Sequence, residues 1–145
     1  MKLSNKGRYA VMAMADLAKT RANCPINLTE ISLRQGISIS FLEQIFLKLK
    51  KKNLVESSRG PAGGYMLSKA PEDIKLSCII KAVDEKVKTI ACKKESKKGC
   101  NGKSIKCITH NLFDDLEKHI NSFFERNTLK DIIYKENKKQ QRELN

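Results

Sequence analysis

Three cysteines and one histidine lie within nineteen residues of the sequence, and these residue types can hold a metal. Cys92, Cys100, Cys107 and His110 are spaced C-x7-C-x6-C-x2-H. Thiolate sulfur and imidazole nitrogen are ligands for zinc and for iron–sulfur clusters alike. The nearby lysines favour the thiolate, which is the form that binds metal. The spacing alone does not choose between the two metals, and a set of unrelated free thiols is the third interpretation.

The segment that carries these ligands has too few large apolar side chains to build a core of its own. Between residues 84 and 106 it is rich in lysine and has glycines at positions 99 and 102. Such a segment cannot bury enough apolar surface to offset the entropy of ordering it. We therefore predict a metal-organised loop over residues 85–111, tied by His110 to the helix that follows.

Length and charge restrict the class of protein. The 145 residues include 29 Lys and Arg against 16 Asp and Glu, which gives a net charge of +13 and predicts a polyanionic partner. Residues 1–70 hold 12 basic and 4 acidic side chains (+8), and residues 71–145 hold 17 and 12 (+5). The N-terminal half is therefore the stronger candidate for contact with nucleic acid.

Other classes are disfavoured by what the sequence contains. No apolar run approaches the roughly 20 residues needed to cross a bilayer, and the start lacks the apolar region of a secretory signal. We predict a reducing cytoplasm, in which the five cysteines are free thiols or metal ligands. With two histidines and no nucleophile motif, the chain is not expected to be an enzyme.

Hydrophobic periodicity predicts a helix-turn-helix near the N-terminus. A first helix spans Lys6 to Lys19, and a short one, with Ile31 and Leu33 as anchors, spans Leu28 to Arg34 and ends at Gly36. The next helix can begin at Ser38 or at Ser40, which with Glu43 fits a capping box. Its apolar stripe consists of Phe41, Leu42, Ile45, Phe46 and Leu49.

A β-hairpin is predicted directly after this helix. Residues 54–58 and 65–67 have the composition of strands, and Arg59-Gly60-Pro61-Ala62-Gly63-Gly64 between them has that of a turn. A hairpin behind a helix-turn-helix makes a winged helix, so we predict a mainly α fold with a small β-hairpin, in a DNA-binding domain over residues 1–84. A short helix capped by Ser77, with Cys78 in the core, completes this domain.

The second helix of such a motif reads DNA from the major groove, where its N-terminal side chains meet base edges. Arg59 on the wing can enter a narrow minor groove. A solvated polar helix face, with a serine acting only as a cap, is the alternative. We expect the following residues to contact DNA: Ser38, Ser40, Glu43, Gln44 and Lys48 on the helix, and Arg59, Gly60 and Gly63 on the wing.

The C-terminal part repeats apolar residues at helical spacing. A long helix is predicted from Thr109 to Arg126, and Thr128 with Asp131 fits a capping box for a short helix ending at Ile133. We predict that residues 112–134 form a homodimer seam and that residues 135–145 are a disordered tail. Packing of the long helix within one monomer is the alternative. The apolar stripe consists of Leu112, Phe113, Leu116, Ile120, Phe123 and Phe124.

The sequence resembles the IscR-type winged-helix regulators over about residues 1–134, with the motifs in the same order. The motifs are Lys2-Leu3, Lys6-Gly7-Arg8-Tyr9-Ala10-Val11, Gln35-Gly36-Ile37-Ser38, Leu42-Glu43-Gln44, Arg59-Gly60-Pro61-x-Gly63-Gly64-Tyr65, Ala82-Val83-Asp84-Glu85 and Thr109-His110, together with the three cysteines.

This resemblance implies a homodimeric transcription regulator that binds a [2Fe–2S] cluster, supplied by the iron–sulfur assembly machinery, and controls iron–sulfur biogenesis genes. It implies Cys92, Cys100, Cys107 and His110 as the ligands. The family form is C-x5-C-x5-C-x2-H, whereas both cysteine gaps are longer here. Since extra loop length costs little closure entropy, ligation is still expected. A winged-helix regulator with a structural zinc, or with no metal, is the alternative.

Overall fold

The described part of the chain consists of helices and one β-hairpin that packs against them. The structure, a computed structural model, describes residues 4–20, 24–85 and 106–145. A 3₁₀ turn at Pro71–Asp73 lies between the hairpin and the fourth helix. In this part of the chain the elements are α1 Asn5–Thr20, α2 Leu28–Gln35, α3 Ile39–Lys51, β1 Val55–Ser58, β2 Gly64–Leu67, α4 Leu76–Ala82, α5 His110–Arg126 and α6 Leu129–Glu143.

Local capping sets the turn between α2 and α3. Gly36 has φ 66° and ψ 33°, the left-handed conformation in which glycine ends a helix, and its N–H donates to the carbonyl of Ser32. Ser38 is extended and its hydroxyl accepts from the N–H of Phe41, which makes Ser38 the N-cap of α3. The predicted helix-turn-helix is therefore confirmed. The predicted capping box of Ser40 with Glu43 is wrong, because Ser40 already lies inside the helix that Ser38 begins.

The core forms where α1, α2 and α3 pack against one another and the hairpin. The apolar stripe of α3 is buried except for Phe41, which lies half-buried edge-on to Tyr9. Ile31 anchors α2, but Leu33 is 81% exposed, so its predicted anchoring role is wrong. Two residues along a helix differ by about 200° around its axis, and so short a helix presents only one side to the core.

The hairpin follows α3, as predicted. β1 and β2 are antiparallel in a register from Val55 opposite Leu67 to Ser58 opposite Gly64. Ile26 and Tyr65 exchange two backbone hydrogen bonds, N to O distances 2.9 and 2.8 Å, which join the segment before α2 to the hairpin. Tyr65 also packs against Phe46 of α3. The wing therefore rests on the same core as the helices.

α4 buries Leu76, Ile79 and Ile80, but two details of its prediction are wrong. Its N-cap position is Lys75, which pairs with Thr128 in a β-bridge and is held extended there, so Ser77 is already the second residue of the helix. Cys78 is exposed because the buried positions of α4 lie on the other side of the helix.

α5 and α6 complete the described chain. Thr128 and Asp131 form the predicted capping box, and Leu129 behind it is fully buried. α6 continues to Glu143, well beyond the predicted end at Ile133 and into the segment predicted as a disordered tail. Its Lys, Glu, Gln and Arg residues have good helix propensity even where they bury little. Within the described residues, no helix is long and apolar enough to span a membrane.

Candidate DNA interface and metal-binding loop

One face of α3 is exposed along its whole length. The buried residues of α3 lie on one side of the helix, and the exposed ones recur at spacings of three and four on the opposite side. The predicted contact residues Ser40, Glu43 and Gln44 belong to this face, and Ser38 caps its N-terminal end. We call it the α3 outer face. It consists of Ser40, Glu43, Gln44, Leu47 and Lys51.

Leu47 is the apolar residue of this face, and it is not among the predicted contact residues. The sequence contained a signal for its position. Leu47 follows Glu43 by four positions and Gln44 by three, so helical spacing places it on their side of α3 and not on the side of the apolar stripe.

Lys48 points to the side of α3 and not along the outer face. Its ammonium lies 2.9 Å from a carboxylate oxygen of Asp84, and the hydrogen bond from Lys48 holds the pKa of Asp84 below its ordinary value. Lys50 instead donates to the hydroxyl of Ser57 in β1, with Nζ to Oγ 2.6 Å. The first contact joins α3 to the end of the α4 segment, and the second joins α3 to the wing.

The wing tip displays Arg59. Arg59 and Gly60 are exposed, and Gly63 is half-buried where its N–H donates to the carbonyl of Gly60 over 2.9 Å. A Cβ at position 63 would overlap the carbonyl oxygen of Ser58 and lie 2.8 Å from that of Gly60. Gly63 is therefore required for the tight turn, and this turn positions Arg59 at the wing tip.

The predicted metal-binding loop begins where two contacts meet. Glu85 accepts hydrogen bonds from the backbone N–H and the hydroxyl of Ser4, just before α1. Asp84, beside it, has φ 59° and holds Lys48 of α3. The start of the loop is thus attached to the first helix and to the helix that carries the α3 outer face.

The loop ends at the start of α5, where two of the four predicted ligands lie. Cys107 is half-buried and His110 is buried, and the His110 N–H donates to the Cys107 carbonyl over 3.1 Å. The Cys107 thiol and the Thr109 hydroxyl are 3.7 Å apart. A thiol and an imidazole on one turn are a donor pair that fits zinc or an iron–sulfur cluster.

Cys92 and Cys100 lie outside the described residues. Among the residues that the structure does describe, no three potential ligands come together.

α5 carries half of its six large apolar residues at the surface. It packs against α4, and Lys75 next to α4 forms an ion pair with Glu125 over 2.8 Å. Nevertheless, Leu112 is 65% and Phe123 49% exposed, and Phe113 is also exposed. Large apolar side chains grouped along one helix are typical of an interface with another chain.

The helix-turn-helix is held in place by a buried carboxylate. The Asp16 side chain of α1 accepts from Arg34 Nη2 over 2.7 Å, Arg34 Nε over 3.0 Å and Gln35 Nε2 over 2.8 Å. Burial raises the pKa of Asp16, but the hydrogen bonds from Arg34 and Gln35 outweigh it and leave the pKa below its ordinary value. These bonds fix the end of α2, and therefore the turn into α3, against α1.

Comparison with known proteins agrees with this architecture. Residues 3–135 match the Rrf2 family, described as iron-dependent transcriptional regulators. Over 133 residues the chain is 47% identical to the HTH-type transcriptional regulator IscR of Aliivibrio salmonicida, covering 92% of this chain and 77% of that protein. It is also 47% identical to IscR of Yersinia pestis, covering 92% of this chain and 79% of the relative.

Solved structures show the same fold. The IscR of T. potens superposes with a TM-score of 0.73 at 33% identity, covering 93% of this chain and 88% of that one. CymR, the global cysteine regulator of B. subtilis, superposes with a TM-score of 0.77 at 26% identity, covering 92% and 97%. With its winged helix-turn-helix and a family match over nearly its whole length, the chain belongs to the Rrf2 family of DNA-binding transcription regulators.

Proposed function

We propose that this regulator binds operator DNA as a homodimer and that a [2Fe–2S] cluster on the loop controls which sites it occupies. Its targets on this proposal include iron–sulfur biogenesis genes, and the assembly machinery is the cluster donor. The observation that carries the proposal is the attachment of the loop. Its start is bonded through Glu85 to Ser4, just before α1, and through Asp84 to Lys48 of α3, and its end, at His110, begins α5.

DNA recognition is assigned to the α3 outer face and the wing. In a major groove the Gln44 amide can bond adenine at two positions, the Glu43 carboxylate can accept from the amino group of cytosine, and Ser40 can serve either base. Lys51 is suited to phosphate contact, which fixes register without reading sequence. Arg59 at the wing tip is suited to a narrow minor groove.

Dimerisation is assigned to α5. A two-fold axis along its exposed apolar face would bury Leu112, Phe113 and Phe123 against their copies and would place two α3 helices on successive half-sites.

The ligands are assigned to Cys92, Cys100, Cys107 and His110. A cluster held by three thiolates and one imidazole supplies a redox-active centre that is labile enough to follow cellular supply. The role of the chain is to offer the Cys107 sulfur and the His110 imidazole as ligands from a single turn at the start of α5. Because Asp84 and Glu85 hold the other end of the loop, an ordered loop restrains α3 relative to α5. Through this restraint, the presence or absence of the cluster alters the position of the DNA-reading helix.

Anaerobically purified protein is expected to be red-brown and to contain about two irons and two sulfides per chain, because the donor set is that of a [2Fe–2S] centre. The Cys107→Ser variant is expected to lose the visible absorption and most of the iron. Cys78→Ser is the matched control: this cysteine is exposed on α4, outside the loop, and its replacement leaves the colour unchanged.

The same preparation distinguishes the alternatives when zinc is also quantified. A colourless protein with one zinc per chain would replace cluster sensing by a structural metal site. A protein that binds neither metal after reconstitution would be a clusterless regulator. In both cases DNA binding through α3 would still stand.

Glu43→Ala is expected to broaden the choice of DNA site. A carboxylate close to phosphates is unfavourable unless a base donor meets it, so Glu43 penalises sites without that donor. Because a mismatched base pair typically costs 1–3 kcal/mol, we expect the affinity gap between preferred and rejected sites to shrink by about tenfold. Competition binding over a panel of sites measures it, with Glu72→Ala on the exposed 3₁₀ turn as the control. Unchanged relative affinities would contradict this role.

A further inference from the structure

Leu47 is an apolar residue in the middle of an otherwise polar DNA-reading face. Its side chain is 69% exposed. By helix spacing its neighbours on the α3 outer face are Glu43 and Gln44 one turn before it and Lys51 one turn after it. The core of α3 is complete without Leu47, because Leu42, Ile45, Phe46 and Leu49 fill the opposite side.

The position of Leu47 distinguishes it from other exposed leucines. A single apolar side chain at a protein surface is common and needs no explanation. Leu47, however, projects from the same side of the helix as the three side chains assigned to base contact. The polar members of that face can hydrogen-bond to base edges or phosphates, whereas a leucine can do neither. In the major groove the apolar group that distinguishes one base pair from the others is the C5-methyl of thymine.

We propose that Leu47 is a specificity residue that reads a thymine by packing against its C5-methyl group. This inference rests on the proposed role of α3 as the recognition helix and adds a determinant that its polar residues cannot supply. A leucine on a methyl removes apolar surface of both groups from water, and that gain is available at A·T pairs of one orientation only.

The helix geometry also places the thymine. Four residues of α-helix advance about 6 Å, and successive base pairs are about 3.4 Å apart. With α3 running along the major groove, as its proposed role requires, Leu47 lies about two base pairs beyond the base that Glu43 meets, toward the C-terminal end of α3. The predicted base is a thymine at this position in each half-site.

Uracil tests the proposal because it differs from thymine only by lacking the C5-methyl group. The DNA site preferred by the full-length protein is first selected from a random pool, and each of its thymines is then replaced singly by uracil. At one position per half-site we expect the wild-type protein to bind about fourfold more weakly, as burial of one methyl-sized group predicts. For Leu47→Ala the same replacement is expected to have no effect, so that thymine and uracil are bound equally.

Leu33→Ala is the matched control, since Leu33 is also an exposed leucine but lies on α2, outside the α3 outer face. It is expected to retain the fourfold uracil effect. Both variants should unfold at the wild-type temperature, because neither side chain contributes to the core. If Leu47→Ala showed the same uracil penalty as wild type at every position, or altered only the oligomeric state, the inference would be wrong.

A second comparison separates failure of this inference from failure of the proposed recognition helix. If Gln44→Ala abolishes site preference while Leu47→Ala has no uracil-specific effect, α3 is the reading helix and only the role of Leu47 fails. If neither replacement alters site preference, α3 is not the reading helix and both proposals fail together.

Discussion

Replacement of Gly64 by alanine is expected to lower the free energy of unfolding by more than about 3 kcal/mol. A Cβ at this position would overlap the carbonyl group of Ile26 and lie 2.7 Å from the nitrogen of Asn27. The overlap is with backbone, so no side-chain rotation relieves it. It would break the paired hydrogen bonds of Ile26 and Tyr65 and draw Tyr65 away from Phe46 in the core.

Gly36→Ala is the comparison that isolates this overlap. Gly36 has a positive φ, but the space around its Cβ position is open. Only the strain of a left-handed alanine is then expected, about 1 kcal/mol. Denaturant unfolding followed by circular dichroism measures both variants. If the two variants lost equal stability, the close backbone packing at the hairpin would not be the reason that position 64 needs glycine.

Asp16→Asn is expected to destabilise the protein by about 2 to 3 kcal/mol at neutral pH. The buried carboxylate accepts three bonds within 3.0 Å from Arg34 and Gln35, and an amide group keeps the shape but loses the charge and one acceptor. The figure is below that for a fully buried ion pair, because the Arg34 side chain is partly exposed and its charge is screened by solvent.

The loss should depend on pH in a defined direction. The folded pKa of Asp16 lies below its ordinary value of 3.8, so its contribution is complete above that value and disappears as the pH falls through the folded pKa. The difference between wild type and Asp16→Asn should therefore be constant from pH 5 to 7 and shrink below about pH 4. Urea unfolding at several pH values measures it. If the difference in unfolding free energy stayed the same in acid, the charge of the Asp16 carboxylate would not be the source of the stabilisation.

Asp73→Asn is a suitable control for general charge effects. Asp73 is exposed on the 3₁₀ turn, and its replacement is expected to change stability by less than about 0.5 kcal/mol at any of these pH values.

The winged helix-turn-helix could be predicted because its signals are local. The turn at Gly36, the serine that caps α3 and the glycine-rich turn after Arg59 each act within a few residues. The apolar stripe of α3 marks its buried side, so the polar residues Ser40, Glu43 and Gln44 could be placed opposite it. For the same reason Cys107 and His110, three positions apart in a turn, could be expected to lie together.

Errors arose where a short helix offers several apolar residues and only some of them face the core. Leu33 and Cys78 have the residue types of buried positions, yet both are exposed because the neighbouring elements lie on the other side of their helices. Ser77 is a good N-cap by residue type, but the bridge between Lys75 and Thr128 holds Lys75 extended, so α4 begins at Leu76, before Ser77. Residue type therefore predicts what can be buried, and packing selects among the candidates.

The sequence by itself determined the order of the elements, the helix ends at Gly36 and Thr128, and the residue types available for DNA and metal. Only the tertiary structure decided that Asp16 meets Arg34, that Asp84 holds Lys48 and that Glu85 holds Ser4. These pairs are 18, 36 and 81 residues apart along the chain. Helix periodicity and capping depend on neighbours within about four residues, whereas contacts between distant residues exist only once the core has set the helices against one another.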